Sequence, residues 1–187
     1  MKSKLKSLVI FIVVLIIFAG TFMAADSLAN SPTLTKIAAD FGYLGVLIIG
    51  LVTGLNTLLP LPAATFTPIF LAAGLSIPIV VIFLAVGTLM ADTLGFVFGH
   101  YSREVIRRKH PQIFSYFYHL QQKHNKLVLP LVASYAAFIP FPNEAILIPL
   151  GLSGMKFKYL ILPLVIGNII HHSLLIYGAT NILHFLS

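Results

Sequence analysis

The sequence contains no cysteine, so it forms no disulfide bond and offers no thiolate to a metal ion. Charged residues are also scarce, at 9% of the chain, whereas hydrophobic residues make up 58%. A soluble domain has about a quarter charged residues, and this composition therefore excludes an ordinary soluble protein. Several apolar runs approach the length of about 20 residues that a helix needs to cross a bilayer. The composition predicts an all-α polytopic membrane protein.

Positive charge is present, and it occurs in short blocks beside the apolar runs. The formal net charge is +7. Such blocks are typical of the cytoplasmic loops of membrane proteins, so we expect them at the inner side of a membrane and not against nucleic acid. Lys36 lies outside these blocks. The blocks are Lys2, Lys4 and Lys6; Arg103, Arg107, Arg108, Lys109, Lys123 and Lys126; and Lys156 and Lys158.

The amino-terminal segment, residues 1–42, is predicted to contain a first membrane span and a short interfacial helix. The apolar run 8–25 follows three lysines, and it is either an uncleaved span or a cleaved signal peptide. Residues 28–42 predict the interfacial helix, with Ser31 as its cap and Pro32 in its first turn. Its apolar face consists of Leu34, Ile37, Ala38 and Phe41.

Residues 43–99 are predicted to form a broken helical hairpin followed by a membrane-spanning helix. Pro60 and Pro62 interrupt the apolar run, and proline unwinds a helix because it removes a donor and clashes with the preceding turn. The piece 63–75 reaches only about 20 Å as a helix, less than the hydrocarbon core of about 30 Å. Residues 79–99 are long enough to cross.

The centre of the chain, residues 100–126, is basic and polar. It predicts either an amphipathic helix on the membrane surface or an ordinary charged cytoplasmic loop. The second half, 127–180, then repeats the first: Pro140 and Pro142 break an apolar run, and 159–179 can span. A tail, 181–187, follows. The apolar face of the central helix would contain Ile113, Phe114, Phe117 and Leu120.

The breaking residues of the two halves coincide when the first half is shifted by 80 positions. If every basic block is cytoplasmic, as the amino terminus and loop 100–126 should be, the two hairpins enter the membrane from opposite sides. The sequence therefore predicts an inverted-topology repeat with two opposed re-entrant hairpins. The matched pairs are Pro60 and Pro140, Pro62 and Pro142, Gly74 and Gly154, Gly87 and Gly167, and Asp92 and His172.

The polar residues within the apolar halves are the candidates for a transport pathway. Asn143 and Glu144 could cap the second half-helix, whose amino terminus, like that at Ala63, favours an anion. Alternatively, Glu144 lies in a central cavity and exchanges a proton or a cation, because a charge at the bilayer centre costs about 3 kcal/mol and is seldom without function. Asp92 either joins this pathway or pairs with Arg103 or His100.

The sequence predicts no metal site, no cofactor and no enzyme active site. His171 and His172 are adjacent, so they project about 100° apart on a helix and form a poor metal-ligand pair. His172 is instead a candidate proton relay, because the repeat places it opposite Asp92. No nucleophile motif, phosphate-binding loop or dinucleotide fingerprint is present.

Three stretches resemble DedA proteins. GTLMADTLGFVFGH at 87–100 is similar to their glycine–aspartate–aromatic–glycine segment, with Asp92, Gly95, Phe96 and Gly99 on its fixed positions. Residues 138–179 resemble the second half of the same domain, also called the VTT or SNARE-associated Golgi domain, and LPLPAATF at 59–66 resembles its first re-entrant motif. In the second half the matching residues are Pro140, Gly154, Phe157, Asn168 and Gly178.

The resemblance implies opposed re-entrant hairpins and transbilayer movement of lipids, including undecaprenyl phosphate or phospholipids. The chain departs from the family pattern at Ala64, where an acid is frequent, and at Ala137 and Asn143, where bacterial members usually carry arginines. Glu144 suits a more distant branch with the motif Pro-x-Pro-x-Glu. The resemblance thus carries over Pro140, Pro142 and Glu144, but not the arginines.

These observations predict a lipid translocase or scramblase in a cell membrane, most simply a prokaryotic one. Its partners would be membrane lipids, including polyprenyl phosphate, with coupling to a proton or a cation. Two alternatives remain open. One is an ion-coupled exporter of small solutes or drugs that uses the same cavity, and the other is a non-transporting scaffold that docks partners through residues 100–126.

Overall fold

In a computed structural model of the chain, the structure describes residues 30–55, 63–123, 125–139 and 141–186. These residues form helices and short connections, with no strand among them. The predicted span at 8–25 and the breaks at Pro60, Pro62 and Pro140 lie outside the described residues. The helices are α1 (Pro32–Gly54), α2 (Thr67–Ala72), α3 (Ile77–Lys109), α4 (Pro111–Lys123), α5 (Asn125–Phe138), α6 (Glu144–Ser153) and α7 (Ile161–Leu186), with 3₁₀ turns at Ala63–Phe66 and Phe157–Tyr159.

Three of the described helices are long and apolar enough to cross a membrane: α1, α3 and the part of α7 up to Gly178. Their outward faces carry large apolar side chains, and Phe98 on α3 and Leu162 on α7 are 65% and 67% exposed. Such surfaces are unfavourable in water and suit contact with lipid. The chain is therefore an integral membrane protein, as its composition predicts.

Helix α3 is longer than the predicted span at 79–99. Its 33 residues extend to Lys109, a length of about 50 Å. The additional turns are charged, and Glu104 pairs with Arg107 and Arg108 at distances of 3.0 and 2.9 Å. Pairs at these spacings support a helix in water, so α3 continues beyond the apolar segment and its basic end projects from it.

Helix α1 has a kink at Gly42, where φ is 52° and ψ is −137°. The kink coincides with the predicted end of the interfacial helix, but the chain resumes as a helix immediately afterwards instead of entering a connection. Ser31 does not make the predicted side-chain cap. Its carbonyl oxygen accepts the first helical bond, from the backbone N–H of Thr35 at 3.0 Å.

Helices α2 and α6, the short apolar pieces of the two halves, end in the same way. Gly74 and Gly154 have φ values of 80° and 85°, a left-handed conformation that glycine adopts without steric cost. The two turns also share a hydrogen-bond pattern, in which each bond has a counterpart 80 positions later. Those bonds join Gly74 N to Leu71 O and Leu75 N to Phe70 O in one turn, and Gly154 N to Gly151 O and Met155 N to Leu150 O in the other.

The long helix of each half packs closely on the first helix of the same half. An added Cβ at Gly87 of α3 would collide with the Leu47 carbonyl of α1, and one at Gly167 of α7 would lie 2.6 Å from the Ala136 Cβ of α5. Glycine at these matched positions therefore allows the backbones of the two helices in each pair to come into contact.

Each half has its own apolar core, and one buried residue of each core comes from the other half. The first core joins α1, the Ala63–Phe66 turn, α2 and the start of α3, and it includes Ile176 from α7. The second joins α5, α6 and the start of α7, and it includes Phe96 from α3. Phe96 and Ile176 are again 80 positions apart, so the exchange between the halves is reciprocal.

Candidate functional site

A line of four polar side chains joins α3 to α7, and we call it the polar seam: Thr88, Asp92, Asn168 and His172. The Asn168 Nδ2 donates to Asp92 Oδ2 at 2.9 Å, and Thr88 Oγ1 lies 3.0 Å from His172 Nε2. The members on each helix are one turn apart, because residues at i and i+4 share a face. Since the lower number on α3 pairs with the higher number on α7, the two helices run antiparallel.

The polar seam is buried inside helices that are otherwise apolar. Asp92 is 0% exposed, Asn168 2% and His172 5%. Polar groups removed from water cost free energy unless they are hydrogen-bonded, and an ionised carboxylate costs more. Burying these polar groups between two membrane helices therefore costs free energy, which indicates a role beyond packing.

Asn143 lies at the break between α5 and α6, and its side chain contacts the polar seam. Its Nδ2 lies 3.3 Å from both Asp92 Oδ2 and Asn168 Oδ1, which closes a triangle of three side chains. The predicted cap by the Asn143 side chain is absent. The reason is its helical backbone, with φ −61° and ψ −24°, since a capping residue needs an extended conformation to reach the first-turn N–H groups.

Glu144 occupies the first turn of α6 and lies against α3. It is 6% exposed, and a Cβ added at Gly95 would lie 2.8 Å from its Cγ. Gly95 thus leaves the space that Glu144 fills, within electrostatic range of Asp92. One turn further along, α3 and α6 meet through Gly99 and Gly151, where an added Cβ would strike the opposite backbone.

Asp92 does not pair with Arg103 or His100, which was the alternative reading of the sequence. Arg103 lies about three turns further along α3, roughly 16 Å from Asp92. The Arg103 guanidinium instead stands 5.6 Å from the ring centre of Phe114 on α4 and packs over Gly154. Asp92 therefore takes its hydrogen bonds from neutral amides and not from a cation.

The Thr88 hydroxyl has two neighbours across the helix contacts. It lies 3.0 Å from His172 Nε2 and 3.5 Å from the Gly50 carbonyl oxygen. The tautomer of His172 decides which of Thr88 and His172 donates the shorter bond. Among the described residues, neither His172 Nδ1 nor Asp92 Oδ1 has a hydrogen-bond partner, and both atoms are buried.

The polar seam consists of two side-chain pairs, and the internal repeat maps one pair onto the other. A shift of 80 positions takes Thr88 to Asn168 and Asp92 to His172, so the pair Thr88–His172 corresponds to the pair Asn168–Asp92. The symmetry stops at the breaks, because the counterparts of Asn143 and Glu144 are alanines. Only the second half therefore supplies an amide and a carboxyl group, those of Asn143 and Glu144, from its break to this site.

The structure also identifies site residues that the sequence reasoning did not select. Asn168 was noted for its fit to a family pattern, and Thr88 was not noted. The sequence contains a signal for both residues, because each lies four positions before a selected polar residue in an apolar run. At the break itself, the Tyr135 hydroxyl donates to the Pro142 carbonyl at 3.3 Å, which holds the end of α5 against the start of α6.

No group of three histidine, aspartate or glutamate side chains within the described ranges is arranged to hold a metal ion. The adjacent His171 is turned away from the seam pair, and its Nδ1 lies 3.3 Å from the Ala137 carbonyl of α5. The polar seam, with Asn143 and Glu144 beside it, offers two carboxyl groups, two amides, a hydroxyl and an imidazole, which can form and exchange hydrogen bonds.

A family model described as the VTT domain matches residues 59–180, which is more than half of the chain. The chain belongs to the VTT-domain family. The matched range includes both breaks and every residue of the polar seam, and the resemblance read from the sequence is confirmed. No curated protein and no solved structure matches the chain.

Proposed function

We propose that this VTT-domain protein is a membrane lipid translocase or scramblase. The observation that carries the proposal is the polar seam, buried between two helices that are long and apolar enough to span a membrane. A lipid headgroup needs polar partners inside the bilayer, while its tails need none. A seam inside an apolar exterior offers both environments, and the family is generally associated with membrane transport and not with catalysis.

The break between α5 and α6 supports a path for the headgroup next to the seam. Residues 139 and 141–143 are not helical, and Asn143 reaches from this break to Asp92. Irregular backbone at membrane depth is tolerated where it is buried in protein or lines a polar cavity. In our proposal the headgroup passes between the two broken hairpins and exchanges the hydrogen bonds of the seam.

The packing also supports an inverted repeat with opposed re-entrant hairpins. The halves share their helix-ending turns, their glycine crossings and the reciprocal exchange of Phe96 and Ile176. Because the seam helices are antiparallel and the repeat interchanges the two seam pairs, the axis relating the halves runs across these helices. In our proposal this axis lies in the membrane plane, as in many transporters that alternate access.

The proposal is tested by reconstituting the protein in liposomes and measuring the movement of a fluorescent phospholipid between leaflets. We expect the wild type to move lipid. Asp92→Asn should slow it, whereas Thr93→Ala should not, because the Thr93 hydroxyl bonds its own helix at the Leu89 carbonyl. Export of a trapped solute without lipid movement would favour the exporter, whose support is the same pair of buried carboxyl groups.

A scaffold acting through residues 100–126 makes a different prediction. Replacing Arg107, Arg108 and Lys109 by glutamine removes the basic end of α3, which lies outside the apolar segment. We expect correctly inserted protein of this kind to move lipid at the wild-type rate in the same liposomes. Loss of movement in correctly inserted protein would show that this end of the helix is part of the active element.

A further inference from the structure

We propose that one end of the molecule is a binding surface for anionic lipids of the membrane leaflet that it faces. The lipids held there surround the protein and are not the lipid that passes the polar seam, so their binding does not depend on the proposed translocase function. We call this surface the basic face, and its exposed basic side chains come from the end of α3 and the turn before α7: Arg107, Arg108, Lys109, Lys156 and Lys158.

The two parts of the basic face lie at the same end of the helix bundle. At the polar seam α3 and α7 run antiparallel, so the last turns of α3 lie at the same end as the first turn of α7. Arg103 connects them: its guanidinium lies 5.6 Å from the ring centre of Phe114 on α4, and an added Cβ at Gly154 would lie 2.5 Å from its Nη1. Lys156 comes shortly after Gly154. The end of α3, helix α4 and the turn before α7 therefore form one surface.

The exposed side chains of α3 indicate the depth of its basic end in the membrane. From Ile82 to Val105, a large apolar or aromatic side chain is exposed at every third or fourth position. This lipid-facing stripe is about 35 Å long, so it covers a hydrocarbon core of about 30 Å. Arg108 and Lys109 lie about 5 Å beyond it, which is the level of the lipid headgroups. Their charges therefore face headgroup phosphates.

Helix α7 has the same order of side chains at its start. Tyr159 and Leu162 are both exposed, so the lipid-facing stripe of α7 begins at a tyrosine that follows exposed lysines. The Lys158 Nζ lies 5.2 Å from the Tyr159 ring centre. Tyrosine rings favour the boundary between hydrocarbon and headgroups, and a lysine side chain extends its ammonium outwards from that boundary. Both helices thus place cations at the level of the headgroups.

The opposite end of the bundle carries balanced charge in the part of the chain that the structure describes. The Tyr43 hydroxyl of α1 accepts a hydrogen bond from the Ser76 N–H, just before α3 begins, at 3.1 Å. Further along α1, Gly54 packs on the middle of α3. Helix α1 therefore runs parallel to α3, and Lys36 and Asp40, near its start, lie at the end opposite the basic face with charges of opposite sign.

The lysines of the basic face have no acid partner among the described residues. Glu104 is the one acid that those residues bring to this end, and it pairs with Arg107 and Arg108. Unpaired lysines at a membrane surface attract lipids with a net negative charge, whereas zwitterionic lipids are not attracted by their net charge. The depth of the basic face favours lipid over a nucleic acid or an acidic protein, which would need these charges in water.

The chain has no tryptophan, so a single introduced tryptophan reports the lipids beside it. Tyr101→Trp lies on the exposed side of α3 near the basic face, and Ile79→Trp lies near the other end of the same helix. Each variant is reconstituted in liposomes of phosphatidylglycerol and phosphatidylcholine in equal parts, with one of the two lipids brominated to quench fluorescence. We expect brominated phosphatidylglycerol to quench Tyr101→Trp about fivefold more strongly than brominated phosphatidylcholine, as one unpaired lysine near the surface implies. Ile79→Trp should be quenched equally by both.

Equal quenching of Tyr101→Trp by the two lipids would overturn the proposal. The preference should weaken at high salt, because salt screens exposed charges. Loss of the preference on addition of a single-stranded oligonucleotide would show that the basic face lies in water, and it would assign the face to nucleic acid instead. The measurement is made at equilibrium, so its result does not depend on whether the protein moves lipid.

Charge variants in the Tyr101→Trp background assign the preference to residues. Lys109→Gln, Lys156→Gln and Lys158→Gln together should bring the two lipids close to equal quenching. Lys36→Gln, the same change at the opposite end of the bundle, should leave the preference unchanged. A triple variant that keeps the full preference would contradict the basic face. If the triple variant does not fold, the comparison of Tyr101→Trp with Ile79→Trp remains decisive.

Discussion

Asp92 depends on donors that come from two other parts of the chain, Asn168 on α7 and Asn143 at the break before α6. A buried acceptor that loses its donor keeps the full cost of its desolvation. We therefore expect Asn168→Ala to lower the free energy of unfolding by about 1–3 kcal/mol. Thr93→Ala, which removes a hydroxyl bonded within its own helix, should lower it by less. Equal losses in mixed-micelle denaturation would contradict the role of Asn168.

Gly95 is the residue that makes room for Glu144. A Cβ there would lie 2.8 Å from Glu144 Cγ, so Gly95→Ala must displace the carboxyl side chain or separate α3 from α6. We expect a loss of about 1–3 kcal/mol, as for other overpacked sites, together with slower lipid movement. Gly178→Ala is the control, because no atom lies within 4 Å of its added Cβ. It should be neutral or stabilising, since alanine favours a helix.

At the scale of elements, the matched turns at Gly74 and Gly154 make different contacts with the rest of the molecule. Alanine at either position enters a left-handed conformation at a cost of about 1–2 kcal/mol. At Gly154 the added Cβ would also lie 2.5 Å from Arg103 Nη1, whereas nothing lies within 4 Å at Gly74. Arg103 would have to move, and it would lose its position over Phe114 on α4.

The two alanine variants should therefore differ in their sensitivity to protease. We expect Gly154→Ala to release α4 from α3 and α6, and to increase tryptic cleavage between Arg107 and Lys109. Gly74→Ala should lose similar stability but retain the wild-type cleavage pattern. If both variants are cleaved like the wild type, Arg103 does not hold α4 in place.

For the whole molecule, the proposed inverted arrangement of the halves predicts which side of the membrane each turn faces. Ser76 and Lys156 follow the two matched glycine turns, lie 80 positions apart and are both exposed. Single cysteines are informative at these positions because the chain has none of its own. An impermeant thiol reagent added outside should label Ser76→Cys at once and Lys156→Cys after the membrane is opened. Equal external labelling would refute the inverted arrangement.

The sequence by itself determined the membrane class, the helices over 79–99 and 159–179 and the matching positions of the two glycine turns. Apolar length, proline breaks and left-handed glycines act over a few neighbouring residues, so the spans near 79–99 and 159–179 and the turns at Gly74 and Gly154 are visible in one dimension. Helix α3 continues past the predicted span because the charged turns after Gly99 are stabilised by i, i+3 and i, i+4 pairs of Glu104 with Arg107 and Arg108. Hydropathy measures insertion into lipid and not helix formation beyond it.

The tertiary structure decided which polar atoms meet. Asp92 was expected either to join a transport pathway with Asn143 and Glu144 or to pair with Arg103 or His100. It hydrogen-bonds Asn143 and Asn168, which lie 51 and 76 positions away in the chain. These partners depend on how closely the helices cross, and that distance is set by glycines such as Gly95 and Gly167, whose effect depends on the residue opposite. No local pattern contains that information. The roles of Asn143, Asn168 and the Thr88–His172 pair therefore follow from the crossing of α3, α6 and α7.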